Sequence, residues 1–309
     1  MLTGAFRQFH GYDIPPQEVA ELYKLYTQTG GPSWIDHTNW FANKQCATWY
    51  GLTVAGGRVT QIQLAGNNLV GTTNFTTKPF AALSTLNLSA ASSTSDLHLT
   101  LSGADIPASL RSIYLYYNLD AALIANTSEI SQLRVIHLSG SARSKISGPV
   151  SQLSPLLSFI DLSGTQSDMA GNCADFASSV LTDIVVSVSP VALVGPLSDL
   201  PVSITKLQVH GSLSQITGGD TPVKCIGIRT LYLGSQVQAP AGYKDDIINR
   251  LYADRVLFTN AAHSLNISDG PALTGVYQTS AAPSTPAEKA YALVNDPNGE
   301  GFLKWAITL

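Results

Sequence analysis

Charge is scarce in this chain, and what there is does not cluster. Only 12% of the 309 residues are charged, the formal net charge is -4, and Lys and Arg are scattered. Neutralising a row of phosphates takes a basic stripe or patch, so nucleic acid is not expected as a partner. Cysteine is scarce as well. Cys46, Cys173 and Cys225 lie far apart and are odd in number, which argues against a disulfide framework. Their spacing is not that of zinc ligands, and no metal or cofactor is expected. Long apolar runs are missing too. No stretch approaches the roughly 18 apolar residues of a membrane span, and the opening MLTGAFRQFHGYD has no apolar run of signal-peptide length. The expectation is a chain made in a cytosol and not inserted in a membrane.

What is present is a period. Apolar residues recur with L-x-x-L-x-L spacing at Val59/Ile62/Leu64, Leu83/Leu86/Leu88, Leu110/Ile113/Leu115 and Leu133/Ile136/Leu138. They continue at Leu157/Ile160/Leu162, Leu181/Ile184/Val186, Ile204/Leu207/Val209 and Ile228/Leu231/Leu233, with a decayed ninth copy read at Ala253/Val256/Phe258. Copies are about 24 residues apart, within the 20–29 window of leucine-rich repeats. The alternating L-x-L of each copy is a short strand with its apolar side chains on one face. One unit cannot bury that face alone, whereas stacked parallel units turn it into a continuous core. The fold class expected is an α/β repeat: a leucine-rich-repeat solenoid with parallel strands on the concave face, an irregular or 3₁₀ convex side, and capped ends.

The ninth repeat position usually holds Asn, whose amide ties down the turn leaving the strand. Asn67 and Asn118 fit, but Ala91, Ser141, Thr165, Ser189, Ser212 and Gln236 stand elsewhere. Ser and Thr hydroxyls replace such bonds less strongly, so a loose convex side is expected. Gly and Pro in Lys145–Leu153 and Val194–Pro201 suit extended or single-turn 3₁₀ backs.

At the start, residues 16–29 read as a helix, with Val19, Leu22, Tyr23 and Tyr26 on one face. Gly31, Pro32, Trp34, Asn39, Trp40, Cys46, Trp49 and Gly51 follow. This segment resembles the N-terminal cap of plant-type and bacterial leucine-rich-repeat proteins. The resemblance implies the horseshoe fold and ligand recognition over roughly Pro16 to Leu233. Val54 stands where the family has its second cysteine, so the implied cap disulfide cannot form and Cys46 is expected as a free thiol.

Beyond Leu233, Tyr243–Tyr252 reads as an amphipathic helix, Asn266–Gly270 and Pro271–Gln278 as a short strand and turn region, and Ser280–Pro286 as a linker. A short helix, an Asp296–Glu300 turn and a terminal apolar strand end the chain. The organisation expected is 1–57 helix and cap, 58–239 repeats, 240–279 degenerate last repeat and C-terminal cap, and 280–309 linker and tail. The tail either closes the cap or is a docking element of its own. This C-terminal region resembles the ends of some bacteriophage structural proteins.

Residues flanking the ladder point to the concave face. The central row is Gln63, Asn87, Tyr114, His137, Asp161, Val185, Gln208 and Tyr232, with Tyr116, Phe159, Asp183 and His210 beside it. Aromatic residues with a polar handle are favoured at binding hot spots. The candidate contact residues are Tyr114, Tyr116, His137, Phe159, Asp161, Gln208 and Tyr232, although every repeat places some solvated residue there regardless. His137 and Asp161 occupy equivalent positions on neighbouring strands, about 4.8 Å apart. A His–carboxylate pair can serve as a base, but no nucleophile accompanies it, and an incidental pair is the expectation. Cys173 and Cys225 are read as small buried hydrophobes. No catalytic residue is assigned. The function expected is non-enzymatic binding of a virion or surface protein, or of a glycan. A bacteriophage head or tail component is the favoured form, and a bacterial recognition protein or effector the alternative. The corresponding location is a virion, with the cytoplasm or non-classical secretion as the alternative.

Overall fold

In the computed structural model all eight triplets of the ladder are at most 2% exposed. The structure describes residues 9–91, 96–176, 178, 180–233, 241–255, 257–258, 263–267, 273, 275, 282–295 and 305–308. At about 1.5–3 kcal/mol for each fully buried aliphatic side chain, this ladder is the principal source of core. The chain divides into two compact units, one of residues 1–147 with 164–166, the other of residues 148–163 with 167–309.

The first unit opens with helix α1 (Pro16–Gln28), whose first residue is proline, a position where the missing N–H is not needed. Its buried face is Glu18, Val19, Glu21, Leu22 and Leu25. That corrects the expected face: Leu25 packs inward, and Tyr23 is 43% exposed. A hairpin of β1 (Leu52–Ala55) and β2 (Arg58–Gln63) follows. Front strands then alternate with back strands: β3 (Gly71–Thr72), β4 (Thr85–Asn87), β5 (Leu97–Ser102), β6 (Ser112–Tyr114), β7 (Ala121–Asn126), β8 (Val135–His137) and β9 (Lys145–Ser147). The even-numbered strands pair in parallel with the ladder residues Ile62, Leu86, Ile113 and Ile136 in register. The odd-numbered strands β3, β5, β7 and β9 form a second parallel sheet behind them.

The second unit repeats the scheme with β10 (Phe159–Asp161), β11 (Ala170–Asn172), β12 (Asp183–Val185), β13 (Ala192–Pro196), β14 (Lys206–Gln208), β15 (Gln215–Thr217) and β16 (Thr230–Tyr232). Ile160, Ile184, Leu207 and Leu231 are in register along its front, and β11, β13 and β15 pair behind.

The expected single-turn 3₁₀ backs are present at Gly103–Asp105, Thr127–Ile130, Val150–Gln152, Cys173–Asp175 and Leu197–Asp199. The convex side is more regular than its Ser-rich sequence implied, because short strands precede these turns. In β5 the reason is period-two burial of Leu97, Leu99 and Leu101. Two of the turns close as capping boxes, with Glu129 accepting from Asn126 N–H and Asp175 from Asn172 N–H, both at 2.7 Å.

The expected ninth copy is corrected. Ala253 is the last residue of helix α2 (Tyr243–Ala253), and Val256 lies outside the described residues. The strand that continues the ladder is β17 (His263–Asn266), with Leu265 in register with Leu231. Leu265 and Ile267 are fully buried. Helix α2 buries Ile247, Ile248 and Leu251, while its Asp246 accepts from Gly218 N–H at 2.6 Å. Asp254, just past its end, accepts from Val223 N–H at 2.8 Å. Next come α3 (Pro286–Asn295) and β18 (Trp305–Thr308), which pairs in parallel with β17. Lys289 Nζ donates to Asn249 Oδ1 at 2.8 Å, tying α3 to α2. The Asp296–Glu300 turn lies outside the described residues.

Candidate front-face contact site

Register alone decides which side chains stand out from the front. With Ile113 and Ile136 in the core, Tyr114 and His137 must project the other way, and both are half-buried. In the first unit Tyr114, Tyr116 and His137 come together. The His137 ring lies 4.4 Å from Tyr116 and 6.2 Å from Tyr114 between centroids. His137 Nε2 is 3.0 Å from Ser139 Oγ. Tyr117 extends the cluster, edge-on to Tyr116 at 5.4 Å.

In the second unit Phe159 and Asp161 share β10, and Asp161 Oδ1 accepts from Ser163 N–H at 3.0 Å. Gln208 stands on β14, and Tyr232 on β16 stacks on His210 with centroids 4.7 Å apart and planes at 16°. His137 belongs to the first unit and Asp161 to the second. Val185, placed in the outward row, is instead 4% exposed.

The rungs also explain two side chains that the sequence reading passed over. The residue two places after the last ladder position takes a left-handed conformation at Gly66, Gly140, Gly164 and Gly211, with φ of 66°, 72°, 69° and 64°. Tyr117 and Val188 hold the same place with φ of 60° and 52°. A β-branched residue is an outlier there, and Val188 is 64% and Tyr117 47% exposed. The available signal was a large residue at a position that glycine occupies on other rungs.

At the start of the first unit, aromatic side chains close the array. Trp34 Nε1 donates to Thr29 O and Trp40 Nε1 to Tyr50 O, both at 2.9 Å, and the Trp49 ring lies 4.5 Å from Phe41. Gly31 is required beside them, because a Cβ there would lie 2.2 Å from the Tyr26 ring. Cys46, Cys173 and Cys225 are all buried free thiols. Burial pushes Cys173 and Cys225 up to about 12 and Cys46 higher still, well away from thiolate chemistry at neutral pH. Among the described residues no group of three or more His, Cys, Asp or Glu is placed to hold a metal ion, and no helix is long and apolar enough to cross a membrane.

The ectodomain of the Arabidopsis receptor kinase HAESA, solved with the peptide hormone IDA and the co-receptor SERK1, matches this chain with a TM-score of 0.51 at 14% identity. The match covers 82% of this chain and 46% of that one. The fold is a leucine-rich-repeat solenoid. The plant peptide hormone receptor RGFR1 in complex with RGF2 matches with a TM-score of 0.37 at 17% identity, over 68% of this chain and 32% of that one. The SOBIR1 ectodomain of Arabidopsis matches with 0.34 at 17%, over 68% of this chain and 100% of that one. This solenoid spans about half the length of the HAESA chain it matches. No protein-family model and no curated protein matches the sequence.

Proposed function

We propose that this leucine-rich-repeat chain is a recognition protein that grips a protein ligand on the front of its rungs. The observation that carries the reading is the half-buried cluster of Tyr114 and His137, on strands whose opposite face is committed to the core, with Tyr116 in the turn that leaves β6. Rigid rings with a polar tip lose little conformational entropy on binding and dominate contact energies. HAESA carries a peptide hormone and a co-receptor in its solved complex, and a protein or peptide ligand is the class inferred for this chain.

We read the chain itself as a bacteriophage head or tail component that binds a virion or surface protein, on the resemblance of its C-terminal region. The alternative is a bacterial recognition protein or effector binding a protein or glycan. Affinity capture of the tagged chain from its native source separates these: co-purifying capsid or tail proteins support the first, and a free chain the second. For the face itself, Tyr114→Ala with Tyr116→Ala is expected to weaken the captured complex tenfold or more, at about 1.4 kcal/mol per decade. His98→Ala, on back strand β5, is expected to leave it unchanged. The opposite pattern would sink the front-face reading.

A further inference from the structure

In the second unit a tight turn leads into each front strand. The first ladder residue closes it, with Leu157 N–H donating to Ser154 O, Ile204 N–H to Pro201 O and Ile228 N–H to Cys225 O at 3.0, 3.1 and 3.1 Å. The turn before Leu181 is held by Ser178, whose hydroxyl donates to Leu157 O and accepts from Val180 N–H. These turns stack in line. Thr182, Thr205 and Arg229 N–H donate to Ser158, Thr182 and Thr205 O of the rung before, at 2.9, 2.8 and 2.7 Å. Their tips carry Leu156, Val180, Val202 and Ile226, which are 49, 45, 62 and 39% exposed. In the first unit the same places, residues 81–82, 108–109 and 131–132, hold only Ala, Ser and Gln.

Single exposed aliphatic residues are ordinary on a protein surface, whereas a contiguous row of them marks a contact. At about 4.8 Å per rung this row is roughly 15 Å long. Charge is polarised along it. Residues 148–205 include Asp161, Asp168, Asp175, Asp183 and Asp199 and no Lys or Arg. Lys206, Lys224 and Arg229 follow, with Asp220 the one acid between them. Lys224 and Arg229 are exposed and bracket Ile226 in the chain. Asp183, just after Val180, stands in register with Lys206, just after Val202, on β12 and β14.

We propose that this row is where a second copy of the chain docks, antiparallel to the first and related to it by a two-fold axis. Such an interface is self-complementary, the same patch serving on both sides. Val180 then faces Val202 of the second copy and Leu156 faces Ile226. The acidic end of each row lies on the basic end of the other, which fixes the direction of pairing. The step per rung is identical on both sides, so each contact repeats along the row. A foreign helix, with a pitch of about 5.4 Å, drifts out of step with it. Four aliphatic side chains fall short of the roughly 800 Å² a side of a standard interface, so the dimer is weak and reversible. It uses the second unit alone and does not depend on the front-face reading.

The test is sedimentation equilibrium of the full chain from about 1 to 500 µM, the range in which a weak dimer dissociates. A monomer–dimer equilibrium is expected, weakened severalfold as ionic strength rises from about 0.05 to 0.5 M. Val202→Glu is expected to weaken it tenfold or more while melting like the parent. Ala108→Glu, at the matching turn position of the first unit, is expected to leave it unchanged. Asp183→Lys is expected to weaken it, and Lys206→Asp added in the same chain to restore it. Should Val202→Glu fail to fold, Val180→Ser takes its place with the same direction expected. A monomer at every concentration overturns the second copy as occupant, and so does a dimer that both turn variants leave intact. A dimer lost with those variants but indifferent to salt and to the charge swap overturns the antiparallel arrangement.

Discussion

Glu18 is wholly buried, yet its carboxylate is not idle. It accepts from Val59 N–H at 2.9 Å and from Arg58 Nη1 at 3.0 Å, joining α1 to the first rung. Burial raises its pKa above the ordinary 4.5, against the opposing pull of those two bonds. A raised carboxyl favours the fold fully below 4.5, and that contribution is lost as pH rises through the folded value. Glu18→Gln keeps an acceptor for Val59 without the buried charge. Urea unfolding of that variant is expected to give neutral-pH stability within about 1 kcal/mol of the parent and a flatter pH profile. Glu18→Ala leaves Val59 N–H unpaired and is expected to cost about 1–3 kcal/mol.

At Val188 the opposite sign is expected. Left-handed backbone costs a side chain with a Cβ about 1–2 kcal/mol, and this one is mostly exposed. Val188→Gly is therefore expected to raise stability by about 1 kcal/mol in the same assay. A loss would mean that the valine packs in a way its exposure hides.

Among the elements, α3 shows how a short helix is started. Thr285 Oγ1 accepts from Glu288 N–H at 3.3 Å, and the Glu288 carboxylate accepts from Thr285 and Ser284 N–H at 3.1 and 3.0 Å. This is a capping box at the end of the stretch read as a linker. The bond from Thr285 N–H, then that from Ser284, holds the exposed carboxyl at about 2, against 4.5 ordinarily. A lowered carboxyl supports the fold above 4.5 and loses that support as pH falls through about 2. The Ser284 and Thr285 amide resonances are expected to move over that window, and Glu288→Gln to remove the response.

Legibility at this scale followed the strength of the pattern. Helices α1 and α2 were visible from apolar spacing, and a short helix was read in the tail where α3 stands. The continuing strand was not, because Ala253/Val256/Phe258 copies the ladder spacing while Ala253 is claimed by a helix. Leu265 and Ile267 offer only two of the three ladder residues. Leu25 was missed because the helix sinks against its Leu edge, leaving Tyr23 partly outside, its ring 5.3 Å from Phe41.

Over the whole molecule, eight apolar triplets in one frame made the fold readable, since burying one face of every strand leaves a single register. That register also placed the front row, Val185 excepted. The chemistry of the row was less legible, because outward positions tolerate many residues. The cysteines give a global check on the core. All three thiols are buried, so in mildly alkaline buffer a thiol-specific reagent is expected to label none in the native chain and all three in denaturant. Labelling of one thiol without unfolding would show that its rung opens alone.

Each rung also stores length. About 24 residues that could reach roughly 80 Å when straight are wound into a step of about 4.8 Å between neighbouring strands. Held at its two ends and stretched, such an array gives up contour in near-equal parcels, one per rung, and each released parcel lowers the tension on the rest. The repeat that supplies a core at rest is thus expected, under load, to release its length one rung at a time.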